Sequence, residues 1–483
     1  MLVMGVADRL QGGPESGGPG AGKVGTHMAM TEVERLARFV TRASYDVMSD
    51  GARRALKAHV LDALGCAIGA LDGEPIGLLR AHIDAFGGRP LASLIGGGKT
   101  APDRAALYNG ALVRYLDFND SFLAPGETCH PSDNLGAVLA ASEYAQQSGR
   151  DVLAALAVAY QVQCRLSEAA PVRDKGFDHT TQGAYAAAAG TARALGLDAA
   201  RTAHAIAISG TANNALRVTR TGELSHWKGL AYPNTAYQAL HAAFLAQRGI
   251  TGPRAVFEGN KGFKDAIAGP FSIDWEREDL EAVAGTLLKR YNAEIHSQSA
   301  IEGLLELRAA HGIDPAAVLR IELDTFDVAH KIIGGGEEGD KHLVRTKEEA
   351  DHSLPYLLAV ALLDGEVTPA QYAPERIGRA DVQTLLRAVT VRPDPELSRR
   401  FPRQMPCRLR LTLADGRVYT AEKADYEGFY TRPMPWEHVV AKFERLAAPH
   451  ADAALRREIV AAVADLESLP VVALTGLLAR VGA

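Results

Sequence analysis

The spacing of apolar residues is helical along most of the chain. Thr31 and Glu34 predict a capping box, and apolar positions three and four residues apart after them predict a first helix. Alanine-rich segments with the same spacing follow from residue 50 to 250. They predict helices at 52–71, 101–118, 132–147, 152–169, 181–195, 199–209 and 234–248. Because alanine faces let helices approach one another closely, these segments predict a large, tightly packed helical domain.

A different pattern begins near residue 286. Alternating or β-branched runs predict strands at 318–323, 388–391, 408–413 and 418–420. The last two are separated by Ala414-Asp415-Gly416, a turn sequence that predicts a hairpin. Helical spacing also occurs at 300–311 and 351–363, and it resumes at residue 436. This part of the chain therefore predicts an α+β arrangement followed by a return to helices.

Together these patterns predict a mostly α protein in which a smaller α+β domain is inserted into a large all-helical domain. The predicted boundaries are 30–285 and 432–483 for the helical domain and 286–431 for the inserted domain. Residues 1–29 are rich in glycine and poor in apolar anchors, which predicts a disordered leader. The leader contains Gly-x-Gly-x-x-Gly, but no predicted strand precedes this motif, so it predicts no dinucleotide site.

The composition excludes several classes of protein. Apolar residues make up 47% of the 483 positions and charged residues 23%, as in an ordinary globular protein. The 52 basic and 58 acidic residues give a net charge of −6, so no nucleic-acid partner is predicted. No apolar run approaches the roughly 20 residues that cross a membrane. The cysteines lie far apart, which predicts a reducing, cytoplasmic location and no metal or iron–sulfur cofactor: Cys66, Cys129, Cys164 and Cys407.

Candidate chemistry is concentrated after the predicted helix at 101–118. Asp117 lies at the end of this helix and Asp120 just beyond it, and His130 lies directly before the next helix, with Pro131 in its first turn. The positive end of a helix disfavours an imidazolium, so His130 is predicted to be neutral and able to accept a proton. The backbone N–H groups there could bind a carboxylate. The alternative is that Asp117 and His130 only cap helices.

Two lysines offer positive charge elsewhere in the chain. Lys228 lies in the segment SHWKG, ahead of the helix predicted to begin at Asn234, and Lys289 lies at the predicted domain junction. Cations beside glycine in polar segments are suited to holding a polycarboxylate. The alternative is that both lysines are solvated at the surface.

Six segments in this order resemble the MmgE/PrpD family, which includes 2-methylcitrate dehydratases and cis-aconitate decarboxylases. They are LDFND (116–120), HPSDN (130–134), SHWKG (225–229), EIHSQSA (294–300), ADHSLPYLLAVALLDG (350–365) and DYEGFYTRPMPWE (425–437). The resemblance implies a large helical domain with a smaller α+β lid, a homodimer, and catalysis on a small tricarboxylate without metal or cofactor. It places the active-site aspartate, histidine and two lysines of the family on Asp117, His130, Lys228 and Lys289.

Further positions follow from the same resemblance. Ser121 keeps the hydroxyl of a threonine of the family, and His179 is similar to another pocket histidine. Glu294 stands where the decarboxylase branch carries a histidine, so Glu294 with His296 favours the dehydratase branch. Asn292 departs from the family by replacing a common proline.

The predicted function is therefore a cofactor-independent hydro-lyase that dehydrates 2-methylcitrate, or a close 2-hydroxy tricarboxylate, in propionate catabolism. His130 fits the role of the base, and lysines would stabilise the negative charge that grows on a carboxylate. The acid that assists the leaving hydroxyl stays open among Asp117, a water held by Ser121 and a second histidine; Asp117 could instead orient His130. The alternatives are decarboxylation of cis-aconitate, epimerisation of a C4 diacid, and a non-catalytic helical scaffold.

Overall fold

The alanine-rich part of the chain is helical in the computed structural model, which describes residues 29–222, 224–337 and 339–482. The predicted leader therefore lies, except for its last residue, outside the described residues. Glu34 accepts a hydrogen bond from the backbone N–H of Thr31 at 2.9 Å, the predicted capping contact. The helices are α1 (Glu32–Arg42), α2 (Asp50–Gly69), α3 (Glu74–Phe86), α4 (Pro102–Tyr115), α5 (Leu135–Tyr144), α6 (Gly149–Ala169), α7 (Thr180–Ala194), α8 (Ala199–Ala212) and α9 (Trp227–Gln247).

The start of α9 differs from the prediction. The predicted helix begins at Asn234, directly after Pro233, which cannot donate a helical hydrogen bond. The helix instead begins at Trp227 and continues through Pro233. Lys228 therefore lies in the first turn of a helix and not in a loop ahead of one.

Helices α4 and α5 pack closely against each other, which brings together the two ends of the segment that joins them, residues 116–134. A Cβ atom added at Gly136 would lie 2.5 Å from the backbone nitrogen of Gly110, so the helices can approach this closely only because residue 136 is glycine. Helix α4 ends just before Asp117, and α5 follows a 3-10 turn (Pro131–Asn134) that begins directly after His130. The two strands β3 (Phe122–Ala124) and β4 (Glu127–Cys129) form the hairpin between them.

The α+β part contains one four-stranded sheet of order β6-β5-β7-β8. Strand β6 pairs with β5 in parallel, whereas β5–β7 and β7–β8 are antiparallel, and β7–β8 is the predicted hairpin. The strands of this sheet are β5 (Val318–Thr325), β6 (Val389–Pro393), β7 (Cys407–Leu413) and β8 (Val418–Lys423); two short strands near the start of the chain, β1 (Ala92–Ser93) and β2 (Lys99–Thr100), form a separate pair.

Further helices lie between and after these strands, and several of them pack on the sheet. They are α10 (Gln298–His311), α11 (Asp327–Ile333), α12 (Lys347–Ala350), α13 (Leu354–Asp364), α14 (Pro374–Ile377), α15 (Ala380–Arg387), α16 (Pro395–Arg400), α17 (Trp436–Ala447), α18 (Ala453–Ala464) and α19 (Val471–Leu478). Helix α17 returns to pack against α2.

The buried apolar residues divide between the two kinds of structure. One large cluster takes its members from 33–288 and 434–481, and a second takes its members from 293–413. Both lie within one compact unit, Thr31–Ala483. The predicted fold class, mostly α with a smaller α+β part, is confirmed, while the exact domain boundaries stay a prediction. Within the described ranges, no helix combines the length and apolar character that spanning a membrane requires.

Candidate active site

A small cavity of about 60 Å³ lies where the loop after α4, the start of α7 and the α+β part meet. Charged and polar side chains line nearly all of it. Six of the eight predicted site residues are among them: Asp117, His130, His179, Lys289, Glu294 and His296. The other two lie next to it, since Lys228 lines an adjoining pocket that shares Asp117, and Ser121 contacts the ring of His130 from behind.

His130 is held in one tautomer. Its Nδ1 lies 2.7 Å from the backbone carbonyl oxygen of Asp120 and 3.2 Å from Oγ of Ser121. Because a carbonyl oxygen only accepts hydrogen bonds, Nδ1 carries the proton and Nε2 keeps its lone pair. Burial lowers the pKa of His130 well below its usual value, and the positive charges of Arg114 and Lys289 lower it further. The ring is therefore a neutral base, as the sequence predicts, although burial and these cations are the cause.

The backbone N–H groups after His130 do not form the predicted carboxylate site. The Ser132 N–H donates to the side chain of Asp120 at 3.0 Å, and the Asp133 N–H donates to the carbonyl of His130 at 3.0 Å. Both groups are already satisfied within the loop, so that prediction is wrong. Binding of an anion falls instead to side chains.

Asp117 is the centre of a buried charge network. Its backbone is left-handed, with φ of 53°. Its Oδ1 accepts hydrogen bonds from Arg114 and Lys289, both at 2.7 Å, and its Oδ2 lies 3.7 Å from Nζ of Lys228. Burial alone would raise the pKa of this carboxyl, but the three cations hold it well below its usual range. Asp117 is therefore ionised, and the Asp120 carbonyl is the group that contacts Nδ1 of His130; the roles predicted for Asp117, as the acid for the leaving hydroxyl or as the group that orients His130, stay predictions.

Among the residues that the structure describes, one group of side chains resembles a metal site, and Lys228 lies at its centre. Asp117, Asp351 and His352 each place a ligand-type atom within 4.8 Å of the others. The ammonium of Lys228 lies 3.2 Å from Oδ1 of Asp351 and 3.0 Å from Nδ1 of His352. A cation bound by these three groups would meet that ammonium, so the donor set does not fit a metal ion.

The sequence interpretation missed Asp351 and His352 as site residues. They lie directly before the apolar helix α13, and the polar triplet Asp-His-Ser ahead of such a helix is the local signal for them. It also missed four arginines that line the cavity: Arg114, Arg173, Arg217 and Arg220. The residues next to each of these arginines in the sequence do not show whether its side chain is buried.

Several buried polar atoms of the cavity wall have no hydrogen-bond partner among the described residues. They are both ring nitrogens of His179, Nε2 of His296 and Nη2 of Arg220, whose Nε donates to Asp178 at 2.7 Å. Buried polar groups are normally satisfied, so atoms of this kind in a cavity wall are suited to a polar ligand. Their positions fit oxygen atoms of a bound carboxylate or hydroxyl.

Glu294 and His296 form a pair at the wall. The carboxylate of Glu294 accepts hydrogen bonds from the backbone N–H of His296 at 2.8 Å and from its Nδ1 at 2.7 Å. Burial opposes ionisation of Glu294, but the contact with His296 lowers its pKa to about 2. Glu294 thus orients His296 and leaves Nε2 of that ring for a ligand.

A wider pocket of about 990 Å³ adjoins the small cavity. The two share Glu127, Thr128, Arg173, Arg217 and Ile332. Among the described residues, Ile332 on α11 is the only aliphatic side chain in the wall of the small cavity. In the wider pocket it is joined by Val328 and Phe401. One side of the entrance is therefore apolar, and the rest is charged.

Comparison with known proteins agrees with the resemblance seen in the sequence. The MmgE/PrpD N-terminal domain model matches residues 34–276, and the C-terminal domain model matches residues 291–467. A 2-methylcitrate dehydratase of Cupriavidus necator is 28% identical over 469 residues, covering 90% of this chain and 94% of the relative. One from Escherichia coli K12 is 28% identical over 351 residues, 68% and 71% of the two chains. A cis-aconitate decarboxylase of Mus musculus is 25% identical over 472 residues, 92% of each chain. The chain belongs to the MmgE/PrpD family.

Proposed function

We propose that this protein is a hydro-lyase that removes water from 2-methylcitrate or a closely related 2-hydroxy tricarboxylate. Relatives that carry the name 2-methylcitrate dehydratase cover most of the chain, although the identity is modest. The observation that carries the proposal is the neutral His130, whose Nε2 keeps its lone pair and lies 3.4 Å from Nη2 of Arg114, in a cavity lined by arginine and lysine. We include in the proposal a cytoplasmic location and a homodimer.

The reaction needs a base and positive charge. His130 Nε2 takes the proton from the carbon next to a carboxylate, the electron pair of that C–H bond forms the double bond, and hydroxide leaves the neighbouring carbon to become water. As the proton departs, negative charge grows on the carboxylate. Lys289 and the arginines of the wall stabilise this charge. Protonated His130 then returns this proton, directly or through a water molecule, to the hydroxide, which becomes water and leaves the imidazole neutral again.

The dimensions and charges of the site suit a branched polyanion. The small cavity of about 60 Å³ adjoins the wider pocket, so a tricarboxylate bound at His130 can extend from one into the other. Arg173 and Arg217 lie in both and can meet its outer carboxylates. Ile332 offers an apolar contact for a methyl branch. The same wall would give an unbranched citrate no such contact.

Dehydration is favoured over decarboxylation by the state of His130. Elimination of water begins with removal of a proton from carbon, which needs an unprotonated base. Loss of CO₂ instead leaves a carbanion that must receive a proton. A buried imidazole whose pKa is lowered well below its usual value is unprotonated at neutral pH, as removal of a proton from carbon requires, and carries no proton to supply to a carbanion.

The test is to incubate the purified protein separately with 2-methylcitrate, citrate and cis-aconitate. Ultraviolet absorbance reports the conjugated alkene, and released CO₂ is measured in parallel. We expect alkene from 2-methylcitrate and no CO₂ from cis-aconitate. The His130→Gln variant, purified in the same way, serves as the control for contaminating enzymes. CO₂ from cis-aconitate, or no turnover of any hydroxy tricarboxylate, would overturn the proposal.

A further inference from the structure

Behind the base lies a carboxylate that neither the sequence motifs nor the proposed reaction assigns a role. Asp120 is fully buried and does not line the cavity. Its Oδ1 accepts hydrogen bonds from the backbone N–H and Oγ of Ser132, at 3.0 and 2.7 Å. Its Oδ2 accepts from the hydroxyl of Tyr160 at 2.7 Å and pairs with Nδ1 of His59 at 2.8 Å. Four partners fill the acceptor positions of a carboxylate.

His59 makes this carboxylate part of a longer chain of contacts. Its Nε2 lies 3.1 Å from Oγ1 of Thr286, and that hydroxyl donates its own proton to the carbonyl of Val283 at 2.6 Å. Thr286 must then accept from His59, so both ring nitrogens of His59 face acceptors. His59 thus links the Asp120 carboxylate to the hydroxyl of Thr286 beneath the loop that carries His130.

The backbone around Asp120 is fixed on its other side as well. Ser121 and Leu287 form an antiparallel bridge, with N–H···O distances of 2.9 and 2.7 Å. The peptide group between Asp120 and Ser121 is therefore held by the side chain of the first residue and by the backbone of the second. Its carbonyl oxygen is the atom that accepts from Nδ1 of His130 at 2.7 Å.

We propose that Asp120 is the positioning residue of the catalytic base: it fixes the peptide carbonyl that keeps the proton of His130 on Nδ1. When this carbonyl is no longer held in place, the tautomer with the proton on Nε2 becomes more populated, although Nη2 of Arg114, 3.4 Å from Nε2, opposes it; that tautomer cannot take a proton from substrate through Nε2. Ser121 Oγ, 3.2 Å from Nδ1, can replace the carbonyl in part. The effect on rate is therefore smaller than that of removing His130. The kinetic part of this inference rests on the proposed function, whereas the tautomer does not.

The test compares Asp120→Asn with a matched control, Glu143→Gln. Glu143 is also a buried carboxylate that accepts from a backbone N–H and a hydroxyl, those of Ser93 at 2.8 and 2.7 Å, but it does not line the cavity. Nitrogen NMR of ¹⁵N-histidine protein reports the tautomer, and the signal of His130 is the one lost in His130→Gln. Steady-state kinetics with 2-methylcitrate supply kcat and KM.

We expect Asp120→Asn to show a mixture of His130 tautomers and a kcat lower by about 10–100-fold, the usual effect of losing an outer partner, with KM changed less. Glu143→Gln should keep both the tautomer and kcat. A folded Asp120→Asn that keeps Nδ1–H alone and a kcat within about twofold overturns the inference. If Asp120→Asn does not fold, Tyr160→Phe is measured in its place, because it removes one of the four donors to the Asp120 carboxylate. We expect this variant to lower kcat, and an unchanged kcat would overturn the inference. A mixed tautomer in a protein whose wild type shows no dehydration supports the positioning role and refutes the proposed function.

Discussion

Removing the charge of Asp117 should expose how the buried network is balanced. Asp117→Asn suits this purpose because asparagine tolerates the left-handed backbone at this position, with φ of 53°, and keeps an oxygen for Lys289. Of the three cations around Asp117, Lys228 keeps Asp351 at 3.2 Å and Arg114 keeps Asp133 at 3.7 Å. Lys289, 1% exposed, has no second carboxylate within bonding distance in the described ranges. It is the charge left without a partner.

The magnitude follows from that difference. Leaving one buried charge unpaired costs about 3–5 kcal/mol of unfolding free energy. Lys289→Met costs less, because Asp117 still accepts from Arg114 at 2.7 Å. The double variant leaves no orphaned lysine charge, so its loss should be smaller than the sum of the single losses by about 2–3 kcal/mol. Urea unfolding at pH 7, followed by circular dichroism, measures all four proteins. Losses that add to within about 0.5 kcal/mol would refute this account of the network.

The same variant predicts a dependence on pH. The pKa of Asp117 lies well below its usual value in the folded state and near 3.9 in the unfolded chain, so its stabilising effect is complete above the latter value. The stabilising effect of Asp117 is lost as the pH falls through the pKa of the unfolded chain and below it. Between pH 6 and pH 3, the loss caused by Asp117→Asn should therefore shrink by about 1 kcal/mol. A loss that stays constant over this range would contradict an ionised Asp117.

Three further predictions concern the ligand and the assembly. Ile332→Ser should lower the preference for 2-methylcitrate over citrate, measured as the ratio of kcat/KM values, by about tenfold, because a methyl contact is lost; an unchanged ratio would remove Ile332 from specificity. Dialysis against EDTA should leave turnover unchanged, because Lys228 occupies the centre of the Asp351–His352 group; activity lost and then restored by a metal would contradict this. Light scattering coupled to gel filtration should give twice the mass of one chain, and the mass of a single chain would refute the homodimer.

Local sequence patterns account for most of the helices and strands. The first helix, the hairpin and the change to an α+β pattern depend on the residues within each element, so periodicity and turn chemistry predict them. The start of α9 was mispredicted because Pro233 is a local signal for a boundary, whereas packing keeps the helix intact through it. Packing between distant elements is the information that a local pattern lacks.

The same distinction separates the site residues that the sequence revealed from those it missed. Asp117 and His130 flank one short hairpin, so their proximity could be predicted from the chain itself. The contact of Lys228 with Asp351 joins residues 123 positions apart, and that of Asp120 with His59 joins residues 61 apart. No pattern along the chain encodes these contacts, although the polar segment around Lys228 and the resemblance to a family both pointed to that lysine. The orientation of His130 by a backbone carbonyl is likewise a property of the folded loop.

The central claim is that His130 takes a proton from the substrate, and His130→Gln tests it most directly. Steady-state kinetics with 2-methylcitrate should show kcat lower by about 10²–10⁴-fold, the usual contribution of a general base. KM should change less, because the cations that bind the carboxylates remain. Circular dichroism and melting curves must match those of wild type, so that the loss belongs to the chemical step. A folded His130→Gln protein that keeps more than about a tenth of the wild-type kcat would contradict the assignment of His130 as the base.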